Sequence, residues 1–262
     1  MVNSGNREKP MGATKIEFRL RVVILTAIIV LGFYAPWIEG LGIGRRISLW
    51  EWLALELSRL GLVSFAVAAP LVIAVAALIA AKGALLRVWG TACLGYGTVH
   101  HAQMQAGAVM ADGPYRYMRN PLYLGSWCMF AAMAFLMPPT GAFFVAVLVT
   151  VFQMRLIYGE EAFLTRQLGQ PYIDYLHAVP RLFPHLGAIL SRTGPMPSGR
   201  KPQWLHAFIA EINPIGVFII LAFFSWSYND RLMVRALIVS FGLSLVMRAL
   251  VPAIKQEKSL QE

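Results

Sequence analysis

Residues 61–81 read GLVSFAVAAPLVIAVAALIAA, without a single Asp, Glu, Lys or Arg. Wound as a helix, such a run reaches about 30 Å, the thickness of a bilayer's hydrocarbon core. Further apolar runs lie at 22–38, 121–137, 142–157, 205–224 and 232–253. Buried helices of a large soluble protein are the competing explanation, and composition opposes it. Charged residues make up 14% of this chain, against about 25% in soluble domains. In lipid a helix satisfies its own backbone groups. The expected fold is therefore an all-α polytopic membrane protein of about six spans, with interfacial or re-entrant helices between them.

Charge placement orients those spans. Lys and Arg number 23 against 13 Asp and Glu, a net charge of +10. A basic balance can signal nucleic acid, but here the basic residues flank the apolar runs, the mark of cytoplasmic loops. No nucleic-acid partner is expected. The tail before residue 22 carries Arg7, Lys9, Lys15, Arg19 and Arg21, and the stretch 155–201 is also rich in base. Both should face the cytoplasm, whereas the turn PPTG at 138–141 has neither Lys nor Arg and should lie outside. Six spans with both termini inside satisfy all three placements. A multi-pass protein of the cell (inner) membrane is expected, its first apolar run an anchor rather than a cleaved signal.

Between the spans the chain is uneven. Gly40, Gly42 and Gly44 form a loop, since no strand precedes them and no dinucleotide fold surrounds them. Residues 48–60 read as an amphipathic interfacial helix anchored by Trp50 and Trp52. Residues 85–99 are apolar but short, either a tilted span or an interfacial or re-entrant helix. Residues 160–168 read as a helix, and GPMPSGRKP at 194–202 as a linker. The resulting division is 1–84, a tail and two spans; 85–185, a core; 186–204, a cytoplasmic linker; and 205–262, two C-terminal spans. Cys93 and Cys128 sit in apolar surroundings and give no zinc or disulfide framework. His100 and His101 are adjacent and lack a carboxylate partner, so no metal is expected.

The densest polar and aromatic clusters stand at the ends of one hairpin. DGPYRYMRNPLYLG at 112–125 precedes the run 121–137, and YGEEAFLTRQLGQPYIDYLHAVPRLFP at 158–184 follows the run 142–157. Antiparallel spans bring the two clusters to the same membrane face. Together they resemble the isoprenylcysteine carboxyl methyltransferase and phospholipid methyltransferase superfamily, whose members carry GPYxxxRHPxYxG, a helical hairpin, then EExxLxxxFGxxYxxYxxxVPRxxP. The first element is met by Gly113, Pro114, Tyr115, Arg119, Asn120, Pro121, Tyr123 and Gly125. The second is met by Glu160, Glu161, Leu164, Gly169, Tyr172, Tyr175, Val179, Pro180, Arg181 and Pro184. The resemblance covers roughly 87–184. Asn120 replaces the family's usual His; it can orient but cannot titrate.

The resemblance implies S-adenosylmethionine held between the two motifs at the cytoplasmic face, and a lipid-like or isoprenylated acceptor arriving from the bilayer, a carboxylate being one option. The cofactor-binding set it implies is Gly113, Pro114, Tyr115, Arg119, Asn120, Pro121, Tyr123, Gly125, Glu160, Glu161, Tyr172 and Tyr175; Arg119, Glu160, Glu161 and Arg181 would serve the reaction. These residue types suit the task. Carboxylates and aromatic faces favour a sulfonium cation, and Arg119 suits the cofactor's carboxylate. An acceptor carboxylate needs a cation such as Arg181 or Arg155; an amine or hydroxyl needs a base, Glu160 or Glu161. Adjacent acids cannot share one helix face, so one is expected in the site and one in solvent. Arg116 reads as a positive-inside residue and Tyr117 as an interface aromatic. Glu211, Arg235 and Arg248 lie in or near the last spans, where charge is functional or snorkels. An NADPH-dependent membrane reductase of steroid-reductase type and a non-catalytic membrane scaffold are the alternatives.

Overall fold

The computed structural model describes residues 12–34, 47–94, 111–184 and 201–259, with side chains described as far as residue 247. Thr14 opens the first helix through a capping box. Its hydroxyl accepts from Glu17 N at 3.2 Å, and the Glu17 carboxylate accepts from Thr14 N at 2.6 Å. This helix, α1 (Lys15–Arg19), runs into α2 (Arg21–Phe33). Ser48 and Glu51 repeat the capping box at the start of α3 (Leu49–Arg59), the amphipathic helix expected there. Its Trp50 turns inward, its ring edge-on to Phe224 at 6.0 Å, while Trp52 stays exposed.

The central element is α4 (Phe65–Leu94), 30 residues in one helix. Its buried face is dominated by small side chains, with Ala68, Ala69, Ala76, Ala77, Ala80, Gly83 and Ala84 among them. Small residues let helix backbones approach where no hydrophobic effect drives association. Helix α5 (Pro121–Ala134) lies along this face, and Gly125 of α5 meets Gly83 of α4. A Cβ on Gly125 would stand 2.6 Å from Arg87 Cγ and 2.9 Å from Gly83 O. The hairpin turns after Ala134 and returns as α6 (Pro139–Leu168), again 30 residues. Helix α2 crosses α6 at Gly32 and Gly141, where a Cβ on Gly141 would collide with the Gly32 carbonyl.

Beyond α6, Gly169 turns the chain at φ +62°, a conformation that favours glycine, into α7 (Gln170–Ala178). The C-terminal part enters as α8 (Trp204–Ala210) and α9 (Ile212–Ser227), bent 66° at Glu211, and ends with α10 (Asp230–Ser259). Helices α8 and α9 pack on α4, and α10 packs on α9.

One sequence expectation changes. Residues 85–94 are neither a separate span nor a re-entrant helix: they continue α4, which runs unbroken across the boundary drawn at 84/85. Residues 160–168 are helical, as expected, and form the last turns of α6. Six spans were expected; among the described residues two helices, α4 and α6, have the length and composition to cross a membrane, or three if the bent α8–α9 pair is one span. Helices α2 and α5 have 13 and 14 residues, about 20 Å of rise against a core of about 30 Å. The run at 22–38 extends past Phe33 into positions outside the described residues. So do the glycines at 40–44, His100 and His101, and most of the 194–202 linker; Arg248 is described only as part of the α10 backbone.

Helix contact through glycine has a measurable signature. Gly125→Ala should lower the thermal unfolding midpoint in detergent, a cost of about 1–3 kcal/mol from overpacking. Gly242→Ala, with nothing within 4 Å of the added Cβ, should leave the midpoint unchanged or slightly raised.

Candidate functional site

The two motifs meet through their backbones before their side chains. Arg119 N donates to Pro180 O at 2.9 Å and Asn120 N to Arg181 O at 3.2 Å. This pairing sets the start of α5 against the segment leaving α7. Pro121 occupies the first position of α5, where its missing N–H costs nothing. Pro114 takes the second position of the 3-10 turn Gly113–Arg116, where a missing N–H is likewise harmless. Gly113 adopts φ +56°, and a Cβ there would meet Cys93 Sγ and Trp89 Nε1 of α4. The motif's prolines and its first glycine are thus built into the frame.

At the centre of the junction lies Glu161, 6% exposed. Its carboxylate accepts from Arg119 Nε at 3.0 Å, Asn120 Nδ2 at 3.1 Å, and Arg181 Nε and Nη2 at 3.0 and 2.9 Å. Arg119 also donates to the carbonyls of Leu176 and Val179, closing the C-terminal end of α7. Asn120 Nδ2 reaches the Arg181 carbonyl as well. Arg181 lies over the Tyr158 ring, 4.5 Å from its centroid. Burial works against its charge, yet the Glu161 carboxylate outweighs this and raises its pKa. Arg119, Asn120, Glu161 and Arg181, from three points in the sequence, form one ionic knot.

Glu160 has a different partner. The Tyr123 hydroxyl donates to it at 2.9 Å. Glu160 is half-buried and Glu161 buried, so neither acid is the solvated one expected. Residues 160 and 161 project about 100° apart around α6, and that face is flanked on one side by α5 and on the other by the 180–181 segment. Tyr172 and Tyr175 pack together at 5.8 Å with Val179 and Ala111. Tyr175 donates to the Tyr115 carbonyl at 2.7 Å. Burial raises both phenols well above their usual range, helped at Tyr172 by the two glutamates and at Tyr175 by Tyr172 and Glu161. They remain neutral donors.

Two buried polar atoms of the Gly113–Arg116 turn have no hydrogen-bond partner among the described residues: Tyr115 Oη and Arg116 Nε. Tyr115 is close enough to Glu160 for that charge to add to the burial that raises its phenol pKa. An unpartnered phenol, a guanidinium and the Tyr123–Glu160 pair are what a ligand carrying both a cation and an anion requires. The residues present therefore fit S-adenosylmethionine. Arg119 and Arg181 are engaged by Glu161, and Arg155 by Glu17 at 3.0 Å. Gly125 faces Gly83 and Arg87 of α4, away from this cluster.

A second ionic cluster lies along α4. Arg87 Nε and Nη2 donate to the Glu211 carboxylate at 2.6 and 3.0 Å, Arg87 Nη1 to Ser126 Oγ at 2.6 Å, and Thr91 Oγ1 to Glu211 at 2.7 Å. Glu211 is wholly buried at the α8–α9 bend. Its charge inside an apolar run marked it in the sequence. Arg87 and Ser126 carried no comparable signal, because Glu211 lies 124 residues from Arg87 and Ser126 lies 39.

Apolar helices of bilayer length, with a buried ionic junction at one end of a helical hairpin, suit a membrane protein. The phospholipid methyltransferase family model matches residues 70–171, consistent with the superfamily that the two motifs resemble; the family implies a membrane methyltransferase. The matched segment begins within α4 and ends at the second residue of α7, short of Tyr172, Tyr175 and Arg181. No curated protein and no solved structure matches the chain.

Removing one partner of a buried pair strands the other charge. Glu211→Gln should therefore destabilise the detergent-solubilised protein by about 3–5 kcal/mol, and Arg87→Met/Glu211→Leu should recover most of that loss. Equal midpoints for Glu211→Gln and wild type would contradict the pairing.

Proposed function

We propose that the protein is an S-adenosylmethionine-dependent membrane methyltransferase acting on a lipid-like acceptor. The observation that carries this reading is the Tyr123–Glu160 pair beside the unpartnered Tyr115 hydroxyl, at the junction of the two motifs. The family match over the hairpin supports it independently. When bound, the cofactor supplies an electrophilic methyl group on a sulfonium centre. Glu160 and the neighbouring rings provide an anionic, aromatic wall for a cation, and Tyr123 fixes the carboxylate's direction. Arg116 is proposed to take the anionic end. Arg119, which the sequence pattern suggested for that role, is instead proposed to act with Asn120, Glu161 and Arg181 as positioning residues. Gly113, Pro114, Pro121, Gly125, Tyr172 and Tyr175 shape and support the same frame. Asn120 in place of the family's His fits an orienting part, since it holds Glu161 without needing to titrate.

Methyl transfer is a displacement, so positioning supplies much of its rate. An amine or hydroxyl acceptor must also lose a proton, and Glu160 is the base within reach of the Tyr123 side. A carboxylate acceptor is the less favoured option, because Arg119, Arg155 and Arg181 are already paired with glutamates. The proposed setting is the cell (inner) membrane, with six spans and the site and both termini on the cytoplasmic side, as the charge pattern suggests. Residues 85–185 are proposed to carry the catalytic core.

Calorimetry in detergent tests the reading. Wild type should bind S-adenosylmethionine saturably and NADPH not at all. Glu160→Gln and Tyr123→Phe should each weaken binding about tenfold, the scale of a lost charge-assisted hydrogen bond. NADPH binding in its place would indicate the reductase, and binding of neither would indicate the scaffold.

A further inference from the structure

One polar group in the hairpin is left unused by the reading above. Gln153 lies midway along α6, 4% exposed, and its Nε2 has no hydrogen-bond partner among the described residues. It lines a half-open cleft of about 70 Å³ between α5 and α6, with Tyr123, Trp127, Thr150, Met154 and Phe183. The other polar groups along this cleft are spent. Trp127 Nε1 donates to Thr150 Oγ1 at 2.9 Å, Thr150 donates to the Ala146 carbonyl at 2.6 Å, and Tyr123 donates to Glu160. Among the described residues no charged side chain lines the cleft.

A buried amide donor without an acceptor is costly in an apolar setting. It is retained at least cost where a ligand oxygen can fill the place. The face that carries it also has direction. The α6 lining residues 150, 153, 154 and 157 follow the i, i+3, i+4, i+7 spacing of one helix face. The next positions on that face are 160 and 161, the two glutamates. The cleft thus runs along α6 from the apolar part of the hairpin towards the Tyr123–Glu160 pair.

We propose that this cleft is a binding slot for the uncharged part of an amphiphile, with Gln153 Nε2 donating to an ester, ketone or hydroxyl oxygen and Trp127, Met154 and Phe183 contacting its hydrocarbon chain. The absence of charge in the lining selects against an ionised group at this depth, and the single free donor selects for an oxygen acceptor over plain hydrocarbon. Binding stands on the cleft itself; its use as the acceptor's slot rests on the methyltransferase reading.

The test uses the full chain in phosphatidylcholine nanodiscs and reads tryptophan fluorescence. The probes are methyl 9,10-dibromostearate, which carries an ester and a quencher, and 9,10-dibromooctadecane, which carries the quencher alone. The ester should quench saturably, and Trp127→Phe should remove the saturable component. Gln153→Leu should weaken the ester's apparent affinity about tenfold and leave the hydrocarbon's unchanged. Its thermal midpoint should equal or exceed that of wild type, since an unpartnered amide is gone; Gln153→Met serves the same purpose if the leucine variant does not fold. Equal affinity for ester and hydrocarbon in wild type, unchanged ester affinity in the Gln153 variants, or quenching that survives Trp127→Phe would each overturn the slot. Calorimetry with S-adenosylmethionine on the same samples separates the two readings. Ester selectivity without cofactor binding leaves the slot and removes the methyltransferase, and cofactor binding without ester selectivity does the reverse.

Discussion

One carboxylate organises the end of the α5–α6 hairpin where the two motifs meet. Glu161 is buried, and burial makes an unpaired carboxylate untenable. Two guanidiniums and an amide meet it. Each of those groups is tied elsewhere: Arg119 to the end of α7, Asn120 and Arg181 to each other's segment, Arg181 to the face of Tyr158. The start of α5, the end of α6 and the exit of α7 are therefore held by one charge. The placement of Tyr123 and Glu160 follows from that knot, because both stand on the elements it joins.

The membrane-embedded part obeys the same rule with different residues. Without a hydrophobic effect between helices, the chain relies on close backbone contact and on polar groups that find each other. Gly83 against Gly125 and Gly32 against Gly141 supply the first. Arg87 and Glu211 supply the second, joining α4 to the α8–α9 bend and, through Ser126, to α5. The C-terminal helices lie beyond the matched family segment, yet they are fastened to its central helix by a wholly buried carboxylate. They belong to the packed body of the protein.

Helix α6 links the two settings. Its first part packs in the apolar body, and its last turns carry both glutamates. Being unbroken, it fixes the glutamates relative to the cleft along its preceding turns. Side chains at the end of a rigid helix are held in place better than side chains on a loop.

Much of this was legible in the sequence because the causes are local. Runs of uncharged residues fix the membrane class. Thr14–Glu17 and Ser48–Glu51 are capping boxes that can be read from four residues each. PPTG marks the hairpin turn, and the paired motifs mark its two ends. The division of labour within the motifs was not legible. Glu160 and Glu161 are neighbours of the same type, and only the docking of α5 on one side and the 180–181 segment on the other gives Tyr123 to one and the arginines to the other. Arg119 reads as a ligand for an anion until Glu161 and the end of α7 claim it. Arg87, Ser126 and Glu211 become one cluster only when α4, α5 and the α8–α9 bend pack. Local chemistry writes helices, caps and turns into the chain, whereas the pairing of buried charges 42 or 124 residues apart is set by which helix faces meet, and that is decided by the packed structure alone.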